Sequence, residues 1–77
     1  MYNLAVFGKN LQRWRQFRGL TQQELAAKVG LSKDTISKVE VAKQRNIGFR
    51  HVISICEVLD VKIEELFFED PQIKYKK

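Results

Sequence analysis

Residues 20–40 read LTQQELAAKVGLSKDTISKVE, and this stretch decides the fold. Thr21 followed three residues later by Glu24 is a capping-box signature, in which hydroxyl and carboxylate each satisfy an amide that the first helical turn leaves open. Leu25, Ala26 and Val29 give the helix an apolar side, and Gly30 stops it, because glycine takes a left-handed backbone without a Cβ penalty. Ser32 then caps the next helix, with Asp34 in its first turn complementing the helix dipole. Two short helices joined by so few residues must cross steeply. Ala26 is small where the first would press on the second. Leu31, Ile36 and Val39 are the expected plug that locks the second in place.

Outward from this pair, residues 4–18 place Phe7, Leu11 and Trp14 at i, i+4 and i+7, the spacing of an amphipathic helix, and Gly19 ends it. Residues 41–46 read as a polar, basic loop. A fourth helix is expected over residues 47–59, with Phe49, Val52, Ile53, Cys56 and Leu59 as its apolar set. A turn follows at 60–62, then a fifth helix over 63–69 before Pro71 breaks it. Residues 52–55 are apolar but fit the helical period better than a strand. The expected class is all-α: a compact five-helix domain over residues 1–70 with a helix-turn-helix at helices 2 and 3, then a short basic tail, 71–77. Trp14, Phe49 and Cys56 read as core, and His51 as a helix-surface or core residue.

Seventy-seven residues make one small domain with a modest core. A single cysteine, Cys56, excludes an internal disulfide, and a single histidine, His51, leaves no Cys/His metal set. Oligomerisation is the remaining way to add stability. The formal net charge is +5, unevenly spread. Residues 1–50 carry ten Lys/Arg against three acids, whereas residues 51–70 carry Lys62 against six acids, and Lys74, Lys76 and Lys77 follow. A basic front and an acidic back suit a molecule that turns one side to a polyanion; the other reading is a solvated charged surface. There is no signal-peptide pattern and no apolar run near the roughly 20 residues that span a bilayer, so a cytoplasmic location is expected. Paired carboxylates, a nucleophile–histidine set and a Gly-rich phosphate loop are all missing from the pattern, so neither an enzyme nor a cofactor is expected.

The arrangement of Arg15, Gly19, Leu20, Thr21, Gln22, Leu25, Ala26, Gly30, Leu31, Ser32, Ile36, Ser37 and Glu40 resembles the helix-turn-helix of the lambdoid phage repressor and Cro class, also called the xenobiotic-response-element family. The resemblance covers about residues 7–67 of the chain. It implies that the start of the third helix enters the major groove of DNA. Helix geometry agrees, since Asp34, Ser37, Lys38 and Val41 lie opposite Ile36 and Val39, with Lys33 exposed at the helix start. By the resemblance, base contact is carried onto Lys33, Asp34, Ser37 and Lys38, and phosphate or base contact onto Ser32. Gln22, in the first turn of the second helix, takes the family's phosphate contact. Lysine suits guanine acceptors and aspartate accepts from the cytosine amino group. Asp34 also repels phosphate, so its expected part is to select sequence rather than to add affinity.

Lys43, Arg45 and Arg50 are further candidate phosphate contacts, followed by Lys9 and Arg13; each also reads as a solvated surface charge. The family pairs an arginine with a glutamate at Arg15 and Glu40, a structural ion pair clamping the first helix to the end of the third. The fifth helix is implied to form the dimer contact through Ile63, Leu66, Phe67 and Phe68; the other reading is that these residues only close the subunit core. The chain departs from the family at Ala42 and Asp60, where glycine is usual, and at Asn46 and Ile47, which replace a proline-containing start of the fourth helix. The run Arg45, Asn46, Ile47 is similar to that of restriction–modification controller proteins, stand-alone regulators like the small phage repressors. The implied function is a sequence-specific, double-stranded DNA-binding transcriptional regulator acting as a homodimer on a palindromic operator. The alternative is an antitoxin that binds a toxin protein and autoregulates its operon.

Overall fold

Thr21 and Glu24 close the capping box that their spacing requires. The Thr21 hydroxyl accepts from the Glu24 N–H at 3.0 Å, and the Glu24 carboxylate accepts from the Thr21 N–H at 2.8 Å. The computed structural model describes residues 4–44 and 46–68. In order, its elements are α1 (Leu4–Phe17), α2 (Gln22–Val29), α3 (Lys33–Glu40), α4 (Phe49–Leu59) and α5 (Ile63–Phe67). There is no strand among the described residues. The expected end of α5 at residue 69 and the tail at 71–77 lie outside them.

Helices α1 to α4 stop by one device. A residue turns left-handed, and the N–H after it reaches back five residues to a carbonyl that the helix end leaves open. These bonds run from Leu20 to Arg15 (3.0 Å), Leu31 to Ala26 (2.9 Å), Lys43 to Lys38 (2.8 Å) and Val61 to Cys56 (3.0 Å). The left-handed residues are Gly19 (φ 74°), Gly30 (φ 77°), Ala42 (φ 61°) and Asp60 (φ 56°). Ala42 and Asp60 therefore stand where the family's glycines would, in a conformation that a Cβ disfavours. Leu20, Leu31 and Val61 go on to pack against the core, whereas Lys43, after α3, is exposed.

The core draws on every helix: Phe7, Leu11 and Trp14 from α1, Leu25, Ala26 and Val29 from α2, Ile36 and Val39 from α3, Val52, Ile55 and Leu59 from α4, and Leu66 from α5. Burying each large apolar side chain contributes roughly 1.5–3 kcal/mol. Helix α2 lies between α3 and α4, and α1 packs on α3 and α5. Two polar side chains, of α1 and the turn after it, join that helix to the ends of α5 and α4. Asn10, buried on α1, donates its amide to the carbonyls of Leu66 (2.9 Å) and Phe68 at the end of α5. Arg18 donates to Leu59 O (2.7 Å) and Asp60 O (3.2 Å) at the end of α4, with its guanidinium over the Trp14 and Phe17 rings. Phe67 stacks on Phe7 with ring centroids 4.7 Å apart.

Three expectations need correcting. Phe49 is not core but 71% exposed, and Ile53 is also exposed. Cys56 is half-buried, packed against the core rather than within it; burial, then the charges of Glu57, Glu64 and Glu65, push its thiol pKa up. Ile55, not singled out, is fully buried instead. Seven of the eleven α4 residues are apolar, so the helix carries two overlapping apolar stripes. Packing against α2 and α5 selects the one through Val52, Ile55 and Leu59. Helix boundaries also shift: α1 ends at Phe17 and α4 begins at Phe49, behind Gly48 rather than at residue 47.

Candidate nucleic-acid interface

Helix α3 is held at its start, its middle and its end. At the start, the Ser32 hydroxyl accepts from the Thr35 N–H at 3.1 Å and bonds the Thr35 hydroxyl at 2.9 Å. In the middle, Ile36 and Val39 are buried among the other helices. At the end, α1 runs so close that a Cβ on Gly8 would collide with the Val39 carbonyl oxygen and lie 2.8 Å from that of Glu40. Gly8 carries no signal in a single sequence, because a helical glycine reads only as a weak helix former.

The same end of α3 is fixed by charge. Arg15 Nε donates to Glu40 Oε2 at 2.6 Å, Nη2 to Oε1 at 3.2 Å, and Nη1 to the Leu20 carbonyl at 2.8 Å. Both residues are buried. The expected pairing of Arg15 with Glu40 is therefore present in the fold, and its third hydrogen bond ties it to the turn after α1. Gln22 joins from α2, donating its side-chain amide to Glu40 Oε1 at 2.9 Å. Sequence reasoning had Gln22 facing only outward; here it also links the start of α2 to the end of α3.

The opposite flank of α3 faces solvent. Lys33, Asp34, Lys38 and Val41 are exposed and Ser37 is half-buried. Lys38 Nζ lies 3.0 Å from Asp34 Oδ2, one helical turn away. Ser32 is exposed, but its hydroxyl serves the cap. Thr35, which the sequence reading passed over, shares that cap and is half-buried. Lys43 and Arg50 are exposed beyond α3 and at the first turn of α4, and Lys9 and Arg13 are exposed on α1. Arg45 lies outside the described residues.

The expected dimer set divides. Leu66 is fully buried within its own subunit and offers nothing to a partner, a correction to that assignment. Its position on the inner side of α5, against α1, follows from the short helix having one face to bury. Phe67 is half-buried against Phe7, while Ile63 and Phe68 are exposed. Among the described residues, no helix is long and apolar enough to cross a membrane, and no group of three or more His, Cys, Asp or Glu could hold a metal ion.

Comparison with known proteins places this geometry. A helix-turn-helix family model matches residues 11–66. An uncharacterized HTH-type transcriptional regulator of Archaeoglobus fulgidus is 42% identical over 65 residues, which are 79% of this chain and 91% of that protein. Among solved structures, the restriction–modification controller protein C.AhdI from Aeromonas hydrophila superposes with a TM-score of 0.75 at 33% identity, covering 83% of this chain and 96% of the other. The biofilm regulator SinR, solved in complex with DNA, gives a TM-score of 0.72 at 30% identity, covering 78% and 95%. With the capped α2 and α3, the buried Arg15–Glu40 pair and the all-helical core, these matches lead to one conclusion: the chain belongs to the helix-turn-helix family of the phage repressor and Cro type, DNA-binding regulators of transcription.

Proposed function

We propose that the chain binds double-stranded DNA sequence-specifically as a homodimer on a palindromic operator, with α3 in the major groove. The observation that carries this reading is the orientation of α3: Ile36 and Val39 are buried, and Lys33, Asp34 and Lys38 project into solvent on the other side. Lys33, Asp34, Ser37 and Lys38 read base edges. Gln22, Ser32, Lys43, Arg45 and Arg50 follow the phosphates. Gln22 keeps one side-chain N–H for a phosphate after giving the other to Glu40. Phosphate contacts set register and base contacts set sequence.

One such helix reads only a few base pairs, so a two-fold dimer on a palindrome supplies the rest, with recognition helices about 34 Å apart. The exposed Ile63 and Phe68 of α5 supply apolar surface for that pairing. SinR, a relative, was solved bound to DNA.

Selection from random duplexes tests the reading, since it yields half-site, spacing and symmetry together. Lys33→Ala and Lys38→Ala should change the selected bases and leave the melting temperature nearly unchanged. Unchanged base preferences in both variants overturn the assignment. Affinity should fall steeply with salt, as release of counterions demands. Weak salt dependence points instead to a protein partner, such as the toxin of a toxin–antitoxin pair.

A further inference from the structure

Asp34 and Lys38 stand one turn apart on the solvent flank of α3 with side chains 74% and 53% exposed, and Lys38 Nζ lies 3.0 Å from Asp34 Oδ2. An exposed i,i+4 pair of this kind adds little to the stability of a helix. The fold therefore gains little from it. What the pair does create is a donor and an acceptor held side by side, on the flank that the reading above turns toward DNA.

The major groove edge of a G·C pair offers a matching arrangement. Guanine presents the O6 and N7 acceptors, and cytosine presents its N4 amino donor. O6 and N4 are themselves hydrogen-bond partners, so they lie about 2.9 Å apart. That separation is close to the 3.0 Å between the ammonium and the carboxylate.

We propose that Asp34 and Lys38 act as one unit that reads a single G·C base pair, with Lys38 donating to guanine O6 and N7 and Asp34 accepting from cytosine N4. This rests on the major-groove reading and names the base pair to which that site is addressed. The ion pair can lie over the base pair without breaking its own bond. Reversing the base pair sets the ammonium against the cytosine amino group and the carboxylate against O6, two repulsions at once. Adenine in place of guanine likewise sets an amino group against Lys38, and thymine in place of cytosine sets O4 against Asp34. A T·A pair keeps one acceptor and one donor in place but lacks N7 beside the lysine. Away from the cognate pair, Asp34 keeps the Lys38 charge partly neutralised and repels phosphate. The pair thereby trades general affinity for choice of sequence.

The test is random-duplex selection with the wild type, Asp34→Ala, Lys38→Ala and the double variant, with thermal melts as a control for folding. The wild type is expected to enrich a half-site with one invariant G·C pair. Each single variant should lose preference at that same position and keep it elsewhere, and the double variant should lose no more than either single one. On the selected site, 7-deazaguanine at that position should weaken wild-type binding by roughly ten-fold and leave Lys38→Ala binding unchanged. Loss of preference at two separate positions, or an invariant pair other than G·C, overturns the paired reader while leaving DNA recognition by α3 intact. No enriched sequence at all with the wild type overturns both.

Discussion

The guanidinium of Arg15 and the carboxylate of Glu40 meet edge to edge between the last turn of α1 and the last residue of α3, Nε to Oε2 at 2.6 Å and Nη2 to Oε1 at 3.2 Å. Both are buried, so removing either leaves a charge without its partner away from water. Glu40→Ala is expected to lower stability by about 3–5 kcal/mol, read from the urea midpoint at constant slope. The double change Arg15→Met with Glu40→Leu should be less damaging than Glu40→Ala, because no orphaned charge remains. A double variant weaker than the single one contradicts this account.

Ala42 holds φ 61° after α3, and Asp60 holds φ 56° after α4. Ala42→Gly relieves the Cβ strain and should stabilise the domain by about 0.5–1 kcal/mol, net of the extra freedom glycine has when unfolded. A domain of this size gains roughly 4–8 °C in Tm per kcal/mol. Asp60→Gly should gain less, because aspartate tolerates the left-handed region better than alanine does. A lower Tm for Ala42→Gly would show that its methyl group is worth more than the strain.

Gly8→Ala adds a methyl group where α1 meets the last carbonyls of α3. The obstacle is backbone, which cannot swing aside as a side chain can. Overpacking of this kind typically costs about 1–3 kcal/mol. The expected result is a lower thermal midpoint together with weakened operator binding, since relief requires α3 to move relative to α1. Wild-type stability in Gly8→Ala would mean that the two helices separate freely.

The Glu24 carboxylate accepts from the Thr21 backbone N–H, which, with the Thr21 side chain, holds its pKa below the ordinary glutamate value of 4.5; the nearby Lys28 charge lowers it further. A carboxyl group with a lower pKa in the folded state stabilises fully above its unfolded pKa, and that stability is lost as pH falls through the folded pKa. Glu24→Gln, a mimic of the protonated acid, should therefore be less stable than wild type at neutral pH. The gap should begin to close as pH falls through the ordinary glutamate range and vanish below the lowered pKa of the folded state. A gap that stays constant with pH would assign the effect to shape rather than charge.

Much of the positioning of α3 is written locally. Thr21, Glu24 and Ser32 announce two helix starts, and Gly19 and Gly30 two helix ends, because caps depend only on residues within a turn of one another. The inward side of α3 was equally plain, since Ile36 and Val39 are its only large apolar residues. Helix α4 was not, because Phe49 and Ile55 are equally eligible for burial until α2 and α5 choose between them. Contacts between residues far apart in the chain were hidden for the same reason: Gly8 under Glu40, Asn10 at the end of α5, and Gln22 on Glu40. Of the two readings of Leu66, dimer contact and core closure, burial selects the second, and periodicity over so short a helix separates the two faces too weakly to choose.

Helix α5 has too few internal hydrogen bonds to persist in water by itself. Its Leu66 and Phe68 carbonyls are tethered by one amide, on Asn10, more than fifty residues earlier in the chain. The short fifth helix is therefore borrowed from the first: loosening at α1 would release the outer surface of α5 while the capped centre of the domain still stood. In hydrogen exchange the first turns of α1 and the whole of α5 should open together and ahead of α2 and α3.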